Sequence, residues 1–284
     1  EAIFGLASLY TLLVTLGVCT NALIITATIT SKSLHGTCNI LIAFCALSDI
    51  MHLLGHLPKI VPVFAGSIEI SSFMCCILQV VPNFGLSAGT FLVLSIALDR
   101  LFSVRQAFFY VKTSVSQYLS KHIFAILAYA ALQYFLIAIY FEDARVACNP
   151  AAAYHGRGKE LWGAASMLVY LLAVAVYVVV WRELTSVGVT TDIREARSVS
   201  LTIFAVMAVV ICGWFLSMCL VMTNSVVLRL QDRQLYLFME VAGIPANTSI
   251  SINYFVLYAT SSEYRAAFKQ QLCSIPCIGR IFSK

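Results

Sequence analysis

Two sets of chemically capable residues stand out in this chain before any fold is considered. His52 and His56 are four residues apart, a spacing that sets two imidazoles on one helix face for one metal ion. Gly85-Leu86-Ser87-Ala88-Gly89 fits the glycine-flanked serine of a hydrolase nucleophile elbow. Neither set closes. Zinc takes three or four ligands, and His35, His122 and His155 fall in loops or at the end of an apolar run. The elbow needs a strand-to-helix turn, whereas Ser87 sits inside an apolar run, where small residues let helices approach closely. An intramembrane zinc or serine hydrolase stays as an alternative reading, with a transporter beside it. Against the transporter, the chain has no internal duplication and no paired broken helices.

A third set has a different character. From Cys75 to Arg105 the chain is apolar enough and long enough to cross a bilayer, and no charge falls between Cys76 and the pair Asp99-Arg100. Ionisable groups are costly in hydrocarbon, so a charge pair closing such a run marks a membrane boundary. Composition agrees. The chain is 61% hydrophobic and 11% charged, against roughly a quarter charged in soluble proteins. Seven apolar runs emerge, at about 3–29, 39–61, 73–104, 122–141, 161–181, 198–223 and 234–259. Each approaches the roughly 20 residues that span a bilayer core about 30 Å thick. Strand alternation is absent, and open sheets cannot span lipid. The fold class is an all-α membrane protein, a seven-transmembrane helix bundle over 1–260, followed by a cytoplasmic segment at 261–284.

Orientation follows from the basic residues. With the N-terminus outside, the inner side holds Lys32, Arg100, Arg105, Lys112, Lys121, Arg182, Arg194, Arg197, Arg265, Lys269, Arg280 and Lys284, twelve in all. The outer side holds six, Lys59, Arg145, Arg157, Lys159, Arg229 and Arg233. That asymmetry favours N-out and C-in. The net charge of +5 lies in short loops and the tail, not on one basic face, so nucleic acid is not an expected partner. Cys19, Cys45, Cys212 and Cys219 fall within runs as small apolar packing. Cys75, Cys76 and Cys148 fall outside, where disulfides persist. A bond from the top of the third run to Cys148 would hold the loop 142–160 over the bundle. Cys75 and Cys76 cannot both make it, and Cys75 is favoured. In the tail, Tyr264, Ala267, Phe268 and Leu272 recur at helical spacing, which predicts a short amphipathic helix in the membrane interface. Cys273 and Cys277 follow where acylation could add an anchor.

Polar residues inside the runs are functional candidates by default. The first run carries Asn21, the second Asp49, and the seventh Asn247, Ser249 and Asn253. Together they predict a polar cluster at mid-bundle, serving as hydrogen-bonded glue or as a switch in which Asp49 holds a cation or proton in one state. Inward-facing candidates for a ligand pocket in the outer half are His52, His56, Lys59, Gln79, Asn83, Ser87, Trp214, Asn224 and Glu240.

Taken jointly, the order Asn21, Asp49, a cysteine atop the third run, Asp99-Arg100-Leu101 at its base, then Asn253 and Tyr258 before an amphipathic tail resembles a rhodopsin-like G protein-coupled receptor. The stretches LHGTCN, LSDI, ALDRLFSV and NYFVLYATSSEYRAAF most resemble nematode chemosensory receptors, particularly serpentine receptor class sx. The resemblance covers essentially the whole chain. It implies a heterotrimeric G protein as partner, membrane lipids as surroundings, no cofactor and no catalysis. It also implies that Arg100 is restrained at rest, by Asp99 and by Glu195 at the foot of the sixth run, and meets the G protein when active. Pro82 stands where amine receptors carry an aspartate, which argues against a biogenic amine. No lysine lies between Arg233 and Arg265, which excludes a retinal Schiff base there. A small odorant or a peptide remains. The chain departs from the family pattern in several places. Leu101 ends the Asp-Arg triplet, Tyr254 follows Asn253 in place of proline, and Tyr258 comes one place late. No proline follows Cys212-Gly213-Trp214-Phe215, the fifth run lacks its proline and the fourth its tryptophan. Without those prolines, Gly213 is the expected source of flexibility in the sixth run.

Overall fold

A computed structural model describes residues 2–64, 69–186, 191–228, 230 and 232–274, excepting the side chains of 62, 64, 186, 191–201, 225, 226, 232, 233 and 274. Among the described residues six helices are long and apolar enough to cross a membrane, with mean hydropathy between 1.6 and 2.5. They are α1 (Ala2–Thr30), α2 (Thr37–Leu54) continued by α3 (Leu57–Phe64), α5 (Val80–Arg105), α7 (Val115–Ile139), α8 (Gly156–Ser186) and α9 (Thr191–Thr223). The seventh crossing is made by α10 (Asp232–Ser251) and α11 (Asn253–Thr260) in succession. It is too polar and too interrupted to meet the same test, yet at 1.5 Å per residue it runs about 40 Å, enough to span. Short helices α4 (Ser72–Leu78) and α6 (Ala107–Lys112) flank α5, and α12 (Ser262–Ser274) follows α11.

The helices close into a ring in which α1 packs on α2, α2 on α5, α5 on α8, α8 on α9, α9 on α10 and α10 back on α1. In α5, 72% of the apolar window is buried, against 17% in α7, so α5 is the hub and α7 lies at the periphery. Small residues permit the closest approach. A Cβ on Gly85 would stand 2.5 Å from the Ser48 carbonyl oxygen of α2. That contact accounts for Gly85 in GLSAG as packing, on an unbroken helix and not at an elbow.

Three expected runs are broken, and prolines explain two of the breaks. A proline ring clashes with the carbonyl four residues earlier. Pro82 forbids a continuous helix through Leu78, and the chain turns at Gln79 between α4 and α5. Pro58 does the same to Leu54, and α2 ends at Gly55. The third break, at Ile252 between α10 and α11, has no proline. There Ser249 Oγ donates to the Ala246 carbonyl at 2.7 Å and Ser251 Oγ to the Asn247 carbonyl at 2.7 Å, side-chain back-bonding of the kind that bends helices. Pro245 lies inside α10, and Ser217 Oγ of α9 accepts the Ala246 amide at 3.0 Å, partnering a backbone group near the proline.

Candidate functional site

On one side of the bundle, the Cys75–Cys148 disulfide joins α4 to the loop between α7 and α8. A two-residue antiparallel pair, β1 (Ile70–Ser71) with β2 (Arg145–Val146), fastens the same loop to the segment before α4. Cys76 is a free thiol. Asn149 caps the 3-10 turn Pro150–Ala153 by accepting the Ala152 amide at 3.0 Å. This clamped loop roofs a cavity of about 380 Å³, whose wall includes His52, His56, Lys59, Trp214 and Glu240.

The wall is a connected polar structure. Lys59 of α3 and Glu240 of α10 form an ion pair, with side chains only 5% and 3% exposed. The Lys59 ammonium also lies 3.5 Å from the centroid of the Tyr10 ring, and Tyr10 Oη donates to the Glu240 carbonyl at 2.8 Å. Asn149 Nδ2 donates to Glu240 Oε1 at 3.4 Å. His56 Nε2 and Asn247 Oδ1 are 2.9 Å apart. The His52 and His56 rings meet edge-on at 5.4 Å, and His52 lies 5.4 Å from the Trp214 ring. The two histidines therefore sit on either side of the Gly55 turn, not on one uninterrupted helix. Among the described residues no group of three His, Cys, Asp or Glu side chains could hold a metal ion.

Other pocket candidates are elsewhere. Gln79 Nε2 donates to the Gly55 carbonyl at 2.6 Å and reaches Cys148 Sγ at 3.6 Å, so Gln79 is a strut between the turn and the disulfide. Asn83 and Ser87 are buried in α5 but do not line the cavity. Asn224 accepts the Leu230 amide at 3.2 Å and does not line it either. Sequence reasoning missed Tyr10, Asn149, Tyr154, His155, Lys159 and Trp162, all of which do. Lys59, a pocket candidate above, and Lys159, counted above only as an outer-side charge, both line the cavity. Tyr10 and Trp162 gave no separate signal within apolar runs.

Below this cavity the expected polar cluster is divided. Asn253 Nδ2 donates to Asp49 Oδ2 at 3.3 Å. Asn21 bonds instead to the Gly17 and Ile250 carbonyls at 2.9 and 3.1 Å, joining α1 to α10. Ser249 serves its own helix, and Asn247 belongs to the upper cavity. A recess of about 10 Å³, roughly one water in size, lies between Asp49, Gly89 and Trp214. His52 and Trp214 line both spaces.

At the other end of α5, Asp99 is fully buried and paired with Arg100, whose Nε reaches Asp99 Oδ2 at 2.9 Å. Tyr110 of α6 completes a triangle. Its hydroxyl donates to Asp99 Oδ1 at 3.0 Å and accepts from Arg100 Nη2 at 3.3 Å. Burial, followed by the Asp99 charge, pushes the Tyr110 phenol up to about 12, so it is a protonated donor at neutral pH. Nothing in the loop sequence distinguished Tyr110 from its aromatic neighbours. The Glu195 side chain lies outside the described residues. Tyr258 is half-buried, and its carbonyl accepts from Arg265 Nε at 2.9 Å. The tyrosine stacked against α12 is Tyr254, 4.1 Å from the Phe268 ring. Tyr264, Ala267 and Phe268 are buried, so α12 docks by the predicted face. Cys273 is a free, exposed thiol, and Cys277 lies outside the described residues.

These features sit on a chain that matches a known family over nearly its whole length. The model of the family described as Serpentine type 7TM GPCR chemoreceptor Srsx matches residues 14–272. No curated protein matches the chain. The match takes in the cavity wall from His52 to Asn247, the Asp99-Arg100 pair and nearly all of α12. The chain belongs to the Srsx family of seven-transmembrane, G protein-coupled chemoreceptors.

Proposed function

We propose that this receptor binds a small molecule in the cavity beneath the disulfide-held loop and signals through Arg100 to a heterotrimeric G protein. On this reading the N-terminus is outside the plasma membrane and the C-terminus is cytoplasmic. The observation that carries it is the cavity's place at one end of α5 with the Asp99–Arg100–Tyr110 network at the other. Leu86 in the cavity wall and Asp99 lie about 20 Å apart along that helix at 1.5 Å per residue. A volume of about 380 Å³ falls near the lower end of small-molecule sites, roughly 300–1,000 Å³. That supports a compact odorant over a peptide.

In this reading the triangle holds Arg100 at rest. Freeing the guanidinium from Asp99 and Tyr110 would let it meet a partner helix entering between the cytoplasmic ends. A ligand shifts this equilibrium only by its difference in affinity for the two states. The test is Arg100→Ala with an agonist from a screen of small odorants in cells with a G protein readout. The variant should keep agonist affinity within a few-fold and lose G protein turnover. Undiminished signalling at equal surface expression would remove Arg100 from the readout.

A further inference from the structure

We infer that the cavity takes a small amphipathic anion, a carboxylate on a compact apolar body. The inference rests on reading this cavity as the ligand site. Among the described wall residues, Glu240 is the one carboxylate, against two amines, Lys59 and Lys159. Glu240 is already engaged, through one oxygen by Lys59 and through the other by the Asn149 amide at 3.4 Å. Lys159 has no such partner. Among the described residues no carboxylate lies within 4.0 Å of its ammonium. Glu142 stands outside the wall, near Gly156, and does not pair with it. Among the described residues the wall therefore carries one uncompensated ammonium.

Two histidines extend the pattern. His52 is 5% exposed; Asn247 is its polar neighbour, and neither ring nitrogen makes a hydrogen bond of good geometry among the described residues. His155 Nε2 is likewise buried without a hydrogen-bond partner. Turned toward the cavity, each imidazole can donate one hydrogen bond to an anionic head. A buried charge is stabilised by a partner of opposite sign with good hydrogen bonds. An anion supplies that to Lys159. An ammonium ligand would have to displace Lys59 from Glu240 and would face both amines. A wholly apolar ligand would shut half-buried Lys159 off from water and leave its charge without a partner, which is costly. The remaining wall, with Leu86, Trp162, Trp214, Met218 and Leu235, suits an apolar body.

The test uses the full chain in lipid nanodiscs and two matched trios, hexanoate with hexanamide and hexylamine, and benzoate with benzamide and benzylamine. Binding is read by thermal stabilisation across a concentration series. The expected result is an acid that binds about tenfold or more tighter than its own amide and amine, the size of one hydrogen bond to a charged group. Lys159→Gln should remove that preference and Lys159→Arg should keep it. The inference is overturned if neither acid binds at millimolar concentration, or if an amide or amine binds as well as its acid. An acid affinity unchanged in Lys159→Gln overturns it too. The trios decide the matter on the unmutated chain, so a poorly folding variant does not protect the idea. An acid that binds through Lys159 but elicits no G protein turnover would sink the receptor reading of the cavity and leave the anion site standing. Arg100-dependent signalling by amines alone would do the reverse.

Discussion

The Lys59–Glu240 pair allows a prediction whose magnitude follows from its surroundings. Both side chains are nearly inaccessible, and each has one further partner, the Tyr10 ring for Lys59 and Asn149 for Glu240. Removing one member of a buried ion pair leaves the other uncompensated, at a cost of about 3–5 kcal/mol. Here the pair borders a solvent-sized cavity, so the orphaned charge can recruit water and the lower figure applies. Lys59→Met and Glu240→Leu should each lose about 3 kcal/mol of unfolding free energy. The double variant should recover most of that loss, because two apolar residues of similar volume replace the pair without a stranded charge. The assay is denaturant unfolding of the purified receptor in mixed micelles, arranged as a double-mutant cycle. A double variant that loses the sum of the two single losses would refute the reasoning, since it would show the two charges to be energetically independent.

Two further outcomes follow from close contacts. Gly213→Ala places a Cβ 2.5 Å from the Ser249 side chain and 2.7 Å from the Pro245 carbonyl oxygen; it should cost about 1–3 kcal/mol as overpacking, and unfolding indistinguishable from the parent would show that α9 and α10 can separate freely. Tyr110→Phe removes the hydroxyl shared by Asp99 and Arg100; ligand-free G protein turnover should rise several-fold, corresponding to about 1 kcal/mol for the hydrogen bonds lost, and an unchanged basal level would separate Tyr110 from the restraint on Arg100.

The spans were legible because burial in lipid demands long apolar runs and leaves little ambiguity about period. What the runs could not convey was interruption. Pro82 and Pro58 were visible in the sequence, but only the backbone shows that each ends a helix four residues upstream, which turns Gln79 into a strut and splits His52 from His56. The inner network was half legible. Asp99 and Arg100 are adjacent and charged, so they announce themselves, whereas Tyr110 reaches them only because α6 folds back beneath α5. Lys159 misled for a related reason. A lysine near the end of an apolar run reads as a topology determinant, since its long stem can carry the charge to the interface. Here Lys159 lines the cavity instead.

Gly213 was expected to be a hinge because the usual prolines are missing, and the structure assigns the residue a different job. Its lack of a Cβ lets α9 approach the Pro245 carbonyl and Ser249, while Ser217 partners the Ala246 amide nearby. A contact that tight joins α9 and α10. The interruption in the seventh span lies lower, at Ile252, and the anchors divide there. Above it, α10 is bonded to α1 through Tyr10, Asn21, Thr20 and Ser251. Below it, α11 is bonded to Asp49 through Asn253, to Thr202 of α9 through the Thr260 carbonyl, and to α12 through Arg265. α1 and α9 pack on both halves, but the α1 hydrogen bonds fall on α10 and the Asp49 bond on α11, so a displacement of the inner end can be taken up at Ile252 with the α1 hydrogen bonds intact. Hinges are a few element-terminal residues that take up the change in backbone angles, and Ile252, between two helices and free of a proline's constraint, meets that requirement. Serine back-bonding opens the helix at the turn before Asn253, without the proline that the family pattern places after it.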